Sequence, residues 1–136
     1  MSENRPEILI LSHGTLCEGL KDSAVMLAGG GNHIKVLPLL EGQDPDEYYV
    51  RALKLYNSMP YGSIILVDIL GGTPSNTVIK MMRECEVFAL CGVNLATVVC
   101  ALFERDNKAG AELLNSVMED SDDSIVNLYE KFKGLK

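Results

Sequence analysis

Basic residues are scarce: 12 Lys and Arg stand against 19 Asp and Glu, giving a formal net charge of -7 and a pI near 4.7. Nucleic acid is thereby excluded as a main partner, because phosphate binding needs a basic face. Long apolar runs are missing too. None approaches the ~20 residues that a bilayer crossing demands, and the run Ile64 to Val67 stops at Asp68. Met1 to Glu7 is polar, with no basic start leading into an apolar segment, so no secretory signal is expected. The 4 cysteines, Cys17, Cys85, Cys91 and Cys100, form no CxxC pair and none of the spacings of a zinc site. Cys85, Cys91 and Cys100 lie among apolar neighbours and read as small buried hydrophobes, at home in a reducing cytoplasm. His13 and Cys17 are spaced for two metal ligands but have no third, so neither a metal nor a cofactor is expected. There is no GxxxxGK[ST] loop for a nucleotide and no GxSxG elbow. Gly29-Gly30-Gly31 lacks the GxGxxG spacing and follows a helical pattern.

No linker, repeat or low-complexity stretch divides the 136 residues, which read as one cytoplasmic domain, 1–136, of ordinary globular composition. Glu7 to Ser12 is the apolar run of a strand buried on both faces. Leu16, Leu20, Ala24 and Leu27 form the stripe of a helix ending at Gly29. A second strand follows over His33 to Leu37. Asp44 as N-cap, Pro45 at the first helical position and Glu47 closing a capping box then start a helix with the stripe Tyr49, Ala52, Leu53 and Tyr56. Ser63 to Val67 is a third strand, and Thr73-Pro74 opens a helix carrying Val78, Met81, Met82 and Cys85. Val87 to Cys91 is a fourth strand; Asn94 caps a helix bearing Leu95, Val98, Val99 and Leu102, and another helix spans Ala109 to Glu119. Such alternation calls for an open α/β fold: a mainly parallel four-stranded sheet with helices on both faces, flavodoxin-like in layout. Two readings of the tail stay open. Ile125, Leu128, Tyr129 and Phe132 fit a helix, and Ser124 to Leu128 fits a short fifth strand.

Ligands in such sheets bind beyond the carboxyl ends of the strands, near the reversal of strand order. Three segments fall there: Ser12-His13-Gly14, Asp68 to Asn76, and Gly92-Val93-Asn94. His13 is one of 2 histidines, and Gly14 beside it allows another molecule to approach. His33 follows a glycine turn and reads as a solvated loop residue. Asp68 ends an apolar strand, where a carboxylate needs a partner. A histidine N–H would satisfy it, set the tautomer and leave the other ring nitrogen more nucleophilic; capping the glycine turn is the plainer use of Asp68. Gly71-Gly72-Thr73-Pro74-Ser75-Asn76 sets a flexible turn before a helix start, whose free N–H groups attract an anion. A nucleophilic histidine, an orienting aspartate and an anion cradle together point to a phosphohistidine site, His13 and Asp68 for the chemistry and Gly71, Gly72, Thr73, Ser75 and Asn76 for the phosphate.

At these residues the sequence resembles the enzyme IIA domain of the mannose-type family of the bacterial sugar phosphotransferase system. The shared blocks are Ser12-His13-Gly14 with Glu18-Gly19-Leu20, Glu41 to Pro45, Val67 to Asn76 and Gly92 to Leu95, in that order. The resemblance implies that His13 accepts a phosphoryl group from the histidine-containing phosphocarrier protein and passes it to a IIB component serving a membrane sugar permease. It implies a homodimer as well, in which a C-terminal strand crosses to the partner subunit; Ser124 to Leu128 is the matching stretch. Ser75 stands where the family often has an aromatic, and Ala96 where a proline is common. The phosphoryl-donor subunit of dihydroxyacetone kinase shares the fold and the early histidine, but the Gly-Gly-Thr-Pro block fits the IIA family better. A non-catalytic module binding a small anion in the same cradle is the alternative of a different class.

Overall fold

The computed structural model describes residues 5–135. Four strands, β1 (Ile8–His13), β2 (Ile34–Leu39), β3 (Ile64–Val67) and β4 (Phe88–Cys91), form one sheet in the order β2-β1-β3-β4, parallel throughout. β1 and β3 lie in the middle and are apolar on both faces, as a parallel sheet under two helical layers requires. Alternate residues of these strands enter two separate cores. Leu9, Leu11, Ile65 and Val67 pack under α2 (Pro45–Asn57) and α3 (Thr73–Met81), against Tyr48, Ala52, Tyr56, Val78 and Met81. Ile8, Ile10, Ile64 and Leu66 pack under α1 (Leu16–Ala28), α4 (Leu95–Glu104) and α5 (Gly110–Asp120). Pro38, which has no N–H to give, sits in the edge strand β2.

The strand–helix alternation read from the sequence stands, and local details shift. The buried stripe of α1 is Cys17 and Ala24 with Leu20 beside them, while Leu16 and Leu27 face solvent, so the helix is rotated relative to the expected stripe. Asp44 caps α2 through the Asp46 amide (3.5 Å), one residue short of the Glu47 box. In α3 the N-cap is Gly72 and Thr73 is already helical; the helix ends at Met81, leaving Met82 exposed and Cys85 beyond it. Cys17 is the fully buried thiol. Cys85 and Cys100 are half-buried and Cys91 is exposed, because β4 is an edge strand and Cys91 ends it. Within the chain Ser124 to Leu128 forms no strand; a short helix, α6 (Leu128–Phe132), starts there and buries none of its residues. Among the described residues no helix is long and apolar enough to cross a membrane.

Two buried tyrosines tie helix to sheet. The Tyr48 hydroxyl donates to the Leu37 carbonyl (2.6 Å), and the Tyr56 hydroxyl donates to the Ser63 carbonyl (2.6 Å) while accepting from the Phe88 amide (3.3 Å). Tyr56→Phe takes the partner from the buried Ser63 carbonyl and from the part-buried Phe88 amide together and is expected to cost about 1–3 kcal/mol in urea denaturation. Tyr61→Phe, at an exposed ring bonded to Glu86, is expected to stay within about 0.5 kcal/mol of the parent.

Candidate functional site

The direction of chain connection reverses between β1 and β3, and the ends of these two strands carry His13 and Asp68. Their register, Leu11 opposite Val67, brings the two residues together across the crevice. One carboxylate oxygen, Asp68 Oδ2, accepts from the His13 amide (2.8 Å) and lies 2.7 Å from His13 Nδ1; the other, Oδ1, accepts from the Ile69 amide (2.8 Å). The aspartate side chain is only 8 % exposed, the histidine side chain 47 %. Burial pushes the Asp68 carboxyl toward the neutral form, but the bonds from the His13 amide, the His13 ring and the Ile69 amide outweigh it and hold its pKa below the ordinary value. An ionised carboxylate only accepts, so Nδ1 carries a proton, and in the neutral ring Nε2 then presents the lone pair.

Nε2 looks onto the backbone of Gly72. A Cβ there would lie 3.1 Å from Nε2 and 2.9 Å from Cε1, and φ is +127°, so glycine is required both for room and for conformation. Behind the ring, the buried Ser12 hydroxyl accepts from the Cys17 amide (2.9 Å) and donates to the Gly14 carbonyl (3.1 Å), and the Gly14 amide bonds the Leu39 carbonyl (2.8 Å). These bonds fix the turn that carries His13 into α1. This task of Ser12 is not among the expectations from sequence; its signal there is a small polar residue closing a buried strand.

The proposed phosphate residues differ in which of their donors are free. Gly72 and Thr73 start α3 in front of the ring, and the Asn76 amide is taken by the Gly72 carbonyl (2.9 Å). Pro74 has no N–H, so the Thr73 and Ser75 amides are the free donors of the first turn. The Gly71 amide and the Ser75 hydroxyl are occupied with each other (2.8 Å). The Asn76 side chain stands with Thr73 on a neighbouring cavity of about 310 Å³, where Lys80 lies over the Tyr49 ring at 4.2 Å. Gly92-Val93-Asn94, the third segment singled out, lines a different cavity of about 260 Å³ between β4, α4 and α5 that includes neither His13 nor Asp68. His33 is in a 3-10 turn at the opposite ends of the strands. Among the described residues no three His, Cys, Asp or Glu side chains converge on a point that would hold a metal.

An open parallel α/β domain with a histidine–aspartate pair where its strand order reverses is the class that fold and site define. The family model described as PTS system fructose IIA component matches residues 7–118, where PTS is the phosphotransferase system. The PTS system fructose-specific EIIA component of Bacillus subtilis (strain 168) is 31% identical over 135 residues, covering 95% of this chain and 90% of that protein. The chain belongs to the mannose-type family of phosphotransferase-system IIA components, and with it to the machinery of phosphoryl transfer. Solved structures share the fold. The phosphotransferase system component EIIA from Streptococcus agalactiae superposes with a TM-score of 0.83 at 23% identity, covering 91% of this chain and 98% of that one. The mannose/sorbose specific IIA subunit from Enterococcus faecalis does so with 0.80 at 18% identity, covering 90% and 94%.

The lowered pKa of Asp68 links the site to folding. A carboxylate whose pKa is depressed in the folded state contributes stability that is complete above its unfolded value and is lost as pH falls through the folded one. Stability measured by urea denaturation is therefore expected to fall on the acid side of the ordinary carboxylate range more steeply in the parent than in Asp68→Asn. Parallel acid limbs in the two proteins would contradict the lowered pKa.

Proposed function

We propose that His13 is a phosphoryl carrier, taking the group at Nε2 from the histidine-containing phosphocarrier protein and passing it to a IIB component that serves a membrane sugar permease. The observation that carries this reading is the Asp68 oxygen that binds Nδ1 at 2.7 Å and leaves Nε2 open in front of Gly72. As the Nε2–phosphorus bond forms, the donor's phosphorus–nitrogen bond breaks and its electron pair returns to the donor nitrogen. The His13 ring, still protonated at Nδ1, becomes cationic, and the adjacent carboxylate offsets that charge. The free amides of Thr73 and Ser75 and the positive end of α3 face the phosphoryl oxygens. Transfer to the IIB component reverses these events, in the cytoplasm where its protein partners meet it.

A module that merely binds a small anion fits less well. Segments 13–19, 40–47, 68–76 and 92–96, which wall the site end of the sheet, contain Glu18, Glu41, Asp44, Asp46, Glu47 and Asp68 and no Lys or Arg. Such a wall repels a free anion. Exposed Leu16, Leu40, Ile69 and Leu70 lie in these same wall segments, an apolar surface suited to a protein that brings the group with it.

With phosphoenolpyruvate and the donor system, intact mass and site mapping are expected to find one phosphoryl group, on His13. His13→Ala should abolish labelling and His33→Ala should leave it intact. Asp68→Asn should slow transfer by ~10²-fold, the scale of orientation and general acid–base effects. Labelling that survives His13→Ala overturns the mechanism.

The reading includes a homodimer. Ile125 is 90 % exposed, and Leu128, Tyr129 and Leu135 are exposed with it, too apolar a tail to be left in water. β4 meanwhile has one unpaired edge. Light scattering is expected to find a dimer for the full chain and a monomer for a chain truncated after Asp123. A full-length monomer, or a truncated chain that stays a stable dimer, counts against a tail-mediated dimer.

A further inference from the structure

We propose that Ser75 is a positioning residue: its hydroxyl locks the Gly71-Gly72 turn and so sets the distance between the start of α3 and His13 Nε2. The proposal rests on the phosphoryl-carrier reading of His13 and concerns how the cradle is held. Ser75 is 2 % exposed. Its Oγ accepts from the Gly71 amide at 2.8 Å and donates to the Gly72 carbonyl at 3.3 Å. A hydroxyl has a single proton to give. With that proton on Gly72, the side chain has no donor left for a phosphoryl oxygen, so it acts through the turn and its backbone amide alone faces the site.

The turn needs such a lock. Gly71 and Gly72 both have positive φ, +82° and +127°, and lack the Cβ atoms that would restrict them. Two adjacent glycines lose more backbone freedom on ordering than any other pair. The Gly72 carbonyl is held from two sides, by the Ser75 hydroxyl and by the Asn76 amide (2.9 Å), and the Gly71 amide is held by the same hydroxyl. Gly72 in turn is the backbone against which Nε2 rests, within 3.1 Å of where its Cβ would be. Removing the hydroxyl frees one end of this chain of contacts and leaves the Asp68 to His13 bonds in place.

The test uses the full-length protein, labelled by the phosphorylated phosphocarrier protein, with the maximal rate and the half-saturating donor concentration measured separately. Ser75→Ala is expected to lower the maximal rate by ~10–10²-fold, the scale of a displaced reacting group, with half-saturation unchanged because the exposed docking residues are untouched. Ser75→Thr, which keeps the hydroxyl, is expected to recover most of the rate. A wild-type maximal rate in Ser75→Ala, or no recovery in Ser75→Thr when that variant is folded, overturns the proposal. Amide hydrogen exchange supplies a reading independent of phosphoryl transfer and of the variants' folding. In the parent protein the exposed Gly71 amide should be protected relative to the neighbouring Leu70 amide, and an unprotected Gly71 overturns the lock. Parent protein in which Gly71 is protected but His13 is never labelled would sink the carrier reading while leaving the lock standing.

Discussion

Asp68 Oδ2 binds both the main chain and the ring of His13, and the site depends on that one oxygen. The amide bond (2.8 Å) ties the end of β1 to the end of β3, and the ring contact (2.7 Å) turns the imidazole so that Nε2 alone is presented. Neither bond forms unless β1 and β3 are neighbours, a relation that comes from the parallel order β2-β1-β3-β4 and not from proximity in the chain. The pairing of Leu11 with Val67, extended by the Asp68 amide on the Leu11 carbonyl (3.2 Å), sets the height at which carboxylate and ring meet. The two cores stabilise this sheet by removing the apolar faces of β1 and β3 from water. Their burial is thus the indirect support of an exposed histidine.

Around that pair the chain uses glycine where it must come close and serine where it must be held. Gly14 and Gly72 take positive φ on either side of His13, and Ser12 and Ser75 bond the carbonyls of those same two residues. Each serine is buried within its own turn, so each hydroxyl substitutes for water that the turn would otherwise need. The site is flexible in composition and constrained in hydrogen bonding.

The parts legible in the sequence are those decided by short-range pattern. Ile8 to Leu11 and Ile64 to Val67 are apolar at every position, which only a doubly covered strand requires, and the covered parallel sheet follows. His13 beside a glycine and Asp68 at the end of a buried strand were readable as a pair on the same logic. The rotation of α1 was not, because Leu16 and Leu27 have the right spacing for a stripe; the helix axis relative to β1 and α4 decides that Cys17 faces the core instead. Cys91 is exposed against expectation because neighbours in sequence do not reveal that β4 is an edge. The engagement of the Ser75 hydroxyl with Gly71 depends on backbone angles that two glycines leave open, so the sequence alone does not show what that hydroxyl bonds. The tail reads as helix or strand because its packing is not settled by contacts within this chain, where α6 is exposed on every residue.

A carrier has to release what it binds, and the proposed cradle is consistent with that need. Along one line lie the Asp68 carboxylate, the imidazole and the place of the phosphoryl group, charges that alternate in sign once the ring is phosphorylated. In the proposed cradle the phosphoryl oxygens meet backbone dipoles at the start of α3, while Lys80, further along that helix and outside the wall, is held over Tyr49 and lies 3.8 Å from Asp46. Dipoles fix orientation without the deep well that a buried lysine or arginine would create for a dianion. Interactions that favour the bound group and the transition state alike give no faster transfer. In the proposed mechanism a cradle of amides with its carboxylate behind the ring instead supports the charge that forms on His13 during transfer, and leaves neutralisation of the moving group to the protein that delivers or removes it.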